Sequence, residues 1–295
     1  MDRLEAMSLL VTVAEAGSLS AAGRRLGIPL SSVSRKIADL EAHLGTRLLV
    51  RAGRKASLTD AGSAYLVACR RILEDVTEAE RAAAGEYLTP SGELVVTAPL
   101  VFGRLHMLPV VLDFLATFPK VDVRLSLIDR RVQLVEEHVD LALRIGPLVD
   151  NALVALKVGT MRRVLVASPD YLARRGTPRE IGDLDGHDWV DDSGMRLPQD
   201  WGFGQTAPAR PRLVINTAEA TLDAAIAGMG LARVLYYQAV GAIRAGTLAL
   251  VLEELEPDPW PVSLLYTAGQ RLLPLKVRAF LDFTGPALRK RLAGL

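Results

Sequence analysis

One segment of the chain repeats its hydrophobic residues with a clear helical period. Between residues 31 and 44 the spacings are four, three and four, set by Val33, Ile37, Leu40 and Leu44. Side chains spaced in this way share one face of a helix. The pattern therefore predicts a helix from about residue 31 to residue 44 that packs this face inward.

A shorter helix is predicted just before it. That helix begins at Ser18 or Ser20 and ends at Gly27, because serine favours the first boundary position of a helix and glycine the last. A tight turn through Pro29 leads into the helix over 31–44. Two short helices joined by a tight turn form a helix-turn-helix, which places its second helix in the major groove of DNA.

The outward face of the second helix carries the candidate DNA contacts. At about 100° per residue, Ser31, Ser32 and Arg35 point away from the core, with Ser34 and Lys36 on the flanks. Arginine pairs bidentately with guanine, and serine bonds bases or phosphates. An ordinary solvent-facing helix is the alternative, and the segment that follows favours DNA.

That segment is basic and predicts a β-hairpin. Residues 48–50 are apolar and predict a strand, and four basic side chains crowd around Gly53: Arg47, Arg51, Arg54 and Lys55. A basic hairpin beside a recognition helix is typical of a wing that contacts phosphates or the minor groove. Arg51 and Arg54 therefore join the predicted contacts to double-stranded DNA.

The charge distribution supports the same function. The net charge of the 295-residue chain is only +1, but residues 1–58 hold nine Lys and Arg against five Asp and Glu. Residues 59–88 hold three against six, and the remainder balances. The basic charge is thus concentrated in the N-terminal segment, as expected for a DNA-binding domain.

Residues 59–88 predict a long linker helix. Thr59 is its predicted N-cap, and Leu66, Cys69, Leu73 and Val76 form a narrow apolar stripe along it. Such a stripe needs a partner, and we expect a second copy of the same helix in a homodimer. The alternative is a helix that lies across the next domain.

From residue 93 onward the pattern alternates short apolar strands with helices, which predicts an α/β sheet with right-handed crossovers. In such sheets ligands bind at the carboxyl ends of strands, facing helix N-termini. This rule selects a candidate site for a small anion, with Arg144 as an additional positive charge. An ion pair of Arg144 with Asp140 or Asp129 is an equal alternative. The candidate residues are Pro99, Leu100, Phe102, Ile128, Arg144, Gly146, Asn216 and Thr217, with Phe203 in a loop flanking the cleft.

These segments together resemble the LysR-type transcriptional regulators. Four segments match the DNA-binding domain of that family: LEAMSLLVTVAEAGS, SLSAAGRRLG, VSRKIADLEAHLGTRLLVR and SLTDAG. Three later segments match its effector domain more loosely: DLALRIG, ASPDYLARRG and GMGLARVL. The resemblance implies a winged helix-turn-helix domain over 1–58, a linker helix over 59–88 and a two-lobed effector domain over 92–295, similar to periplasmic binding proteins. Lobe 1 is expected at about 92–162 and 267–295, and lobe 2 at about 163–266.

The resemblance also implies a ligand-responsive regulator, a homodimer or homotetramer with RNA polymerase as a candidate partner. Many members carry Gln-Pro where this chain has Leu30 and Ser31, so readout at Leu30 is expected to be apolar. Leu100 and Phe102 replace hydroxylated residues of many relatives, which favours an aromatic or otherwise hydrophobic effector.

Other functions find little support in the sequence. The AGMGLA run lacks a third glycine and precedes a strand, so it is not a dinucleotide loop, and neither a phosphate-binding loop nor a nucleophile elbow occurs. The histidines lack metal-ligand spacing, and the acidic residues Asp188, Asp191 and Asp192 are expected in a solvated loop. We therefore predict no catalytic residue, metal or cofactor, and a cytoplasmic protein without a signal peptide. An α/β enzyme or an architectural DNA-binding protein is the alternative.

Overall fold

The computed structural model describes residues 2–52, 55–83, 89–148, 153–193, 211–267 and 273–295. The chain divides into two compact units, Met1–Thr89 and Pro90–Leu295. The first unit contains α1 (Arg3–Ala16), α2 (Leu19–Leu26), α3 (Leu30–Leu44), β1 (Leu49–Ala52), β2 (Lys55–Leu58) and α4 (Asp60–Ala83).

Short-range capping fixes the helices of the first unit. The Ser18 hydroxyl accepts a hydrogen bond from the Ala21 amide at the start of α2, as the sequence predicts. Gly27 and Gly45 end α2 and α3 with positive φ angles of 68° and 66°, which glycine adopts without strain. Helix α3 begins one residue earlier than predicted, at Leu30.

The predicted inward face of α3 forms the centre of the first core. Val33, Ile37 and Leu40 are at most 1% exposed, and Leu44 packs at the edge of the same cluster. The other members of this core include Leu10 of α1 and Leu48 beside the hairpin. Burial of these apolar side chains, each contributing about 1.5–3 kcal/mol, holds the helix-turn-helix together.

Helix α4 begins at the predicted cap but buries its stripe differently from the expectation. The Thr59 hydroxyl accepts a hydrogen bond from the Gly62 amide at 2.9 Å. Leu66 and Cys69 lie in the core of their own unit, so this part of the stripe packs within the first unit. Leu73 and Val76 continue the same face and are half-buried.

Among the described residues, the second unit contains two five-stranded mixed sheets, one in each lobe. The first sheet has the order β4-β3-β5-β12-β6, with β3, β4 and β5 parallel. Its strands are β3 (Gly92–Ala98), β4 (Val121–Leu127), β5 (Leu141–Ile145), β6 (Leu153–Met161) and β12 (Trp260–Thr267). Its core also includes residues of α5 (Leu100–Phe102), a π-helical turn (Gly103–Met107), α6 (Leu108–Thr117) and α10 (Leu275–Leu292).

The second sheet has the order β11-β7-β10-β8-β9. Its strands are β7 (Arg163–Ala167), β8 (Trp189–Asp192), β9 (Leu213–Ile215), β10 (Leu231–Leu235) and β11 (Ala249–Val251). Its helices are α7 (Pro169–Arg175), α8 (Ala218–Ile226) and α9 (Tyr236–Arg244). Ser168 caps α7, because its hydroxyl accepts a hydrogen bond from the Tyr171 amide at 3.3 Å.

Three parts of the second unit differ from the sequence expectations. The sequence RRVQLVEEHV predicts a helix over 130–139, but this segment is not an α-helix. Its hydrogen bonds close a single turn, and His138, with a φ of 52°, redirects the chain into β5. Asp191 and Asp192 do not lie in a solvated loop but in β8, each 8% exposed. Strand β12 already lies in the first sheet, so the chain returns to lobe 1 at about Trp260 rather than at 267.

Candidate DNA-binding surface and effector cleft

The outward face of α3 carries the side chains that the sequence selects. Ser31 and Arg35 are exposed, whereas Ser32, Ser34 and Lys36 are partly buried. The Lys36 ammonium pairs with the Glu5 carboxylate of α1, a partner that the sequence pattern does not reveal. Arg35 therefore presents the exposed guanidinium of this face, while Lys36 is held at its flank.

The wing is anchored to the recognition helix by a residue that sequence reasoning missed. One carboxylate oxygen of Glu41, in α3, accepts hydrogen bonds from the amides of Leu48 and Leu49 at 2.8 and 3.0 Å. Strand β1 then pairs antiparallel with β2, which places Arg51 opposite Ala56. Arg54 lies outside the described residues. The position of β1 is thus coupled directly to helix α3.

The carboxyl ends of β3 and β4 bring three of the predicted effector residues together. Pro99 is the N-cap of α5, and the Ile128 amide donates to the Ala98 carbonyl at 2.9 Å. The Leu100 amide donates to the Asp129 carboxylate at 3.0 Å. A carboxylate of the protein therefore already occupies this helix N-terminus, and an anionic ligand would meet a negative charge there.

Phe102 belongs to the interior and does not line the mouth of a pocket, contrary to the expectation. Its side chain is fully buried, and its ring lies 4.9 Å from that of His106 and 5.4 Å from that of Tyr237, which belongs to α9 of the other lobe. Burial raises the pKa of Tyr237 above its usual range. Burial, and secondarily the Arg291 charge, lowers the pKa of His106. This aromatic cluster is one contact between the lobes.

Arg144 is half-buried at the end of β5. Its guanidinium donates to the carbonyls of Leu143 and Arg130 at 3.3 and 3.5 Å. Burial lowers the pKa of Arg144, and the Asp129 and Glu137 charges oppose this shift. Two carboxylates are candidate ion-pair partners of Arg144. The Asp140 side chain accepts a hydrogen bond from the Val95 amide at 2.8 Å. The negative charge of Asp129 raises the pKa of Arg144.

Gly146 lies two residues after Arg144 and has a φ of 118°. A Cβ at this position would lie 3.4 Å from the Trp260 ring. The backbone angle favours glycine at this turn, whereas the Trp260 ring would be in ordinary van der Waals contact with a Cβ. The turn therefore fixes the backbone that follows Arg144, at the strand end where the sequence predicts a ligand.

The second lobe contributes the start of helix α8. Thr217 is its N-cap and makes no side-chain capping hydrogen bond, while Asn216 is exposed. In the first turn of α8 the Glu219 carboxylate accepts a hydrogen bond from the Arg104 guanidinium of the first lobe at 2.9 Å. Sequence reasoning did not anticipate this ion pair between the lobes. Phe203 lies outside the described residues.

Two protein-family models match the chain, one over each unit. The model for the bacterial regulatory helix-turn-helix protein, lysR family, matches residues 4–63. The model for the LysR substrate binding domain matches residues 89–289.

Individual relatives extend the similarity over nearly the whole chain. An HTH-type transcriptional repressor of Pseudomonas aeruginosa (strain UCBPP-PA14) is 34% identical over 293 residues, covering 96% of this chain and 91% of that protein. The HTH-type transcriptional activator AaeR of Escherichia coli (strain K12) is 30% identical over 287 residues, covering 96% and 93%. The structure of CrgA, a LysR-type transcriptional regulator from Neisseria meningitidis, is 29% identical with a TM-score of 0.59, covering 96% of this chain and 98% of that chain.

Proposed function

Because the chain belongs to the LysR-type transcriptional regulators, we propose that a small effector bound between its two lobes controls its binding to operator DNA. The contact between Arg104 and Glu219 carries this proposal, because it joins the lobes beside the strand ends. A change in lobe closure that moves these two residues apart would break that 2.9 Å contact. A ligand that binds one closure state more tightly then shifts the population toward that state.

The proposed DNA contacts divide into two roles. Arg35 reads base edges in the major groove, since it is the exposed guanidinium of the recognition helix. The remaining members of the predicted set position the protein on phosphates and along the groove. These are Ser31, Ser32, Ser34, Lys36, Arg51 and Arg54.

The proposed effector is a small hydrophobic acid. Its acidic group binds at the N-terminus of α8, where Thr217 supplies no side-chain cap to the first amides of the helix. Arg144 adds a guanidinium from the opposite lobe, and Leu100 offers an apolar contact. The remaining residues of the proposed cleft are Pro99, Ile128, Gly146, Asn216 and Phe203.

We further propose a cytoplasmic homodimer, assembling into a homotetramer, with no catalytic activity. The half-buried Leu73 and Val76 lie beyond the part of α4 that packs in its own unit, and they supply an apolar face for a second α4. Paired helices of this kind would hold two wings over successive half-sites of one duplex. RNA polymerase is a proposed partner at the promoter.

Thermal unfolding with a panel of acids tests the effector class. The panel pairs aromatic monocarboxylates such as benzoate with small polar acids such as citrate. Binding to the native state alone raises stability by about 2.7 kcal/mol at one hundred times the dissociation constant. We expect stabilisation by aromatic acids, and a loss of that stabilisation in Arg144→Gln. Stabilisation by polar acids alone, or by none of the panel, contradicts the proposed effector class.

A further inference from the structure

The start of the recognition helix presents apolar side chains to solvent. Leu30, the first residue of α3, is 52% exposed, and Leu26, the last residue of α2, is 44% exposed. Pro29 between them is also exposed. Ser31 and Arg35 are exposed on the same helix.

The backbone holds these side chains in a fixed position. The Ile28 amide donates to the Gly23 carbonyl at 3.0 Å, and the Ser32 and Val33 amides donate to the Pro29 carbonyl at 3.0 and 3.1 Å. A Cβ on Gly23 would lie 2.8 Å from the Ile28 carbonyl oxygen, so the turn packs directly against α2. Ile28 packs against the core whereas Leu30 does not, which leaves Leu30 displayed at the helix tip.

The position of Leu30 determines what it can contact on DNA. The N-terminal residues of a recognition helix contact base edges in the major groove. Leu30 lies one helical turn before Ser34, so the two side chains share one edge of the helix. Leucine neither donates nor accepts a hydrogen bond, and the apolar group on the major-groove edge of the base pairs is the C5-methyl of thymine.

We propose that Leu30 is a specificity-determining residue that selects thymine by contact with its C5-methyl group. This inference rests on the proposed binding of operator DNA and adds one base position to it. The contact removes about one methyl group from water, so its loss corresponds to about fourfold weaker binding. The selection is direct readout by apolar contact, distinct from the hydrogen-bonded readout proposed for Arg35.

The test begins with duplexes enriched by the full chain from a randomised DNA pool. Each thymine of the enriched sequence is replaced in turn by deoxyuridine, which removes only the methyl group. We expect about fourfold weaker binding at one thymine per half-site, and no such sensitivity in Leu30→Ala. Leu4→Ala is the matched control, because Leu4 is 41% exposed on α1 and should leave the sensitivity unchanged.

A second variant tests the same position by gain of function. Leu30→Gln introduces the side chain that pairs bidentately with adenine, so we expect its enriched sequence to exchange thymine for adenine at that position. If deoxyuridine has no effect, or if the effect persists in Leu30→Ala, the inference is wrong while operator binding stands. If no duplex is enriched, the proposed operator binding fails together with it.

Discussion

Replacing Gly62 by alanine is expected to destabilise the DNA-binding unit selectively. Gly62 lies in the first turn of α4, against the backbone of Leu48 where the wing begins. A Cβ at this position would be 2.0 Å from the Leu48 carbonyl oxygen, and real Cβ atoms essentially never come within 3.0 Å of such an atom. The two backbone segments must therefore separate by about 1 Å.

That separation disrupts the start of the linker helix. The Thr59 amide donates to the Leu48 carbonyl at 2.9 Å, and this bond lies directly beside the new methyl group. Overpacking costs about 1–3 kcal/mol and a lost hydrogen bond about 1 kcal/mol, offset by about 1 kcal/mol from the better helix propensity of alanine. We expect a net loss of about 1–3 kcal/mol in the free energy of unfolding of the first unit.

Two optical signals separate this unit from the rest of the chain. All three tryptophans, Trp189, Trp201 and Trp260, follow residue 90, so their emission reports on the second unit, whereas far-UV circular dichroism reports on both. In urea, Gly62→Ala should lower the midpoint of the dichroism change that the first unit contributes and leave the tryptophan transition unchanged. An unchanged dichroism profile would refute the packing argument.

The matched control is the same substitution at an open helical position. Gly241 lies inside α9, and a Cβ at this position would meet no atom within 4 Å beyond its own helix backbone and chain neighbours. Gly241→Ala is therefore expected to leave the stability of the second unit unchanged or to raise it by up to about 1 kcal/mol. A loss of stability there as large as that of Gly62→Ala would mean that close approach to Leu48 is not the cause.

Three further outcomes are expected. Arg35→Ala should cost about 1–3 kcal/mol of binding free energy at particular base positions. Arg51→Ala should instead weaken binding to every duplex and reduce the slope of log affinity against log salt by about one. If Arg35→Ala loses equal affinity for specific and random duplexes in anisotropy titrations, Arg35 does not read bases. Asp129→Ala removes the carboxylate that caps α5 and should lower the free energy of unfolding by about 1 kcal/mol, measured by tryptophan emission. Asp129→Asn keeps an acceptor and should lower it less, and equal losses for the two variants would argue against the cap. Burial, and secondarily the Arg291 charge, lowers the pKa of His106 in the folded state, so the unfolded state binds the proton first as the pH is lowered. The free energy of unfolding should therefore decrease as the pH drops below about 6.5. His106→Gln should flatten this dependence in urea titrations at several pH values, and an unchanged slope would contradict it.

The sequence predicts the first unit well because local rules determine it. The helical period of Val33, Ile37 and Leu40 identifies the buried face of α3, and Ser18 and Gly27 identify the ends of α2. The family and fold predicted from these motifs are confirmed by both family models and by the two mixed sheets.

The residues that the sequence did not anticipate depend on contacts between distant parts of the chain. Asp129 caps a helix that begins 29 residues earlier, and the buried ring of Phe102 contacts Tyr237 of the other lobe. The sequence pattern gives no distance between such segments. Asp191 and Asp192 lie in a strand for a similar reason, because β8 pairs in parallel with β9 over these residues and with β10 just before them.

The central claim is that residues 1–58 form a DNA-reading domain, and fluorescence anisotropy with the full chain tests it most directly. One labelled duplex comes from the DNA upstream of the protein's own gene, and the other has the same composition in scrambled order. We expect tighter binding to the upstream duplex and an affinity that falls steeply as salt rises, because phosphate contacts release counterions. Absence of binding to either duplex even at low salt would contradict the account.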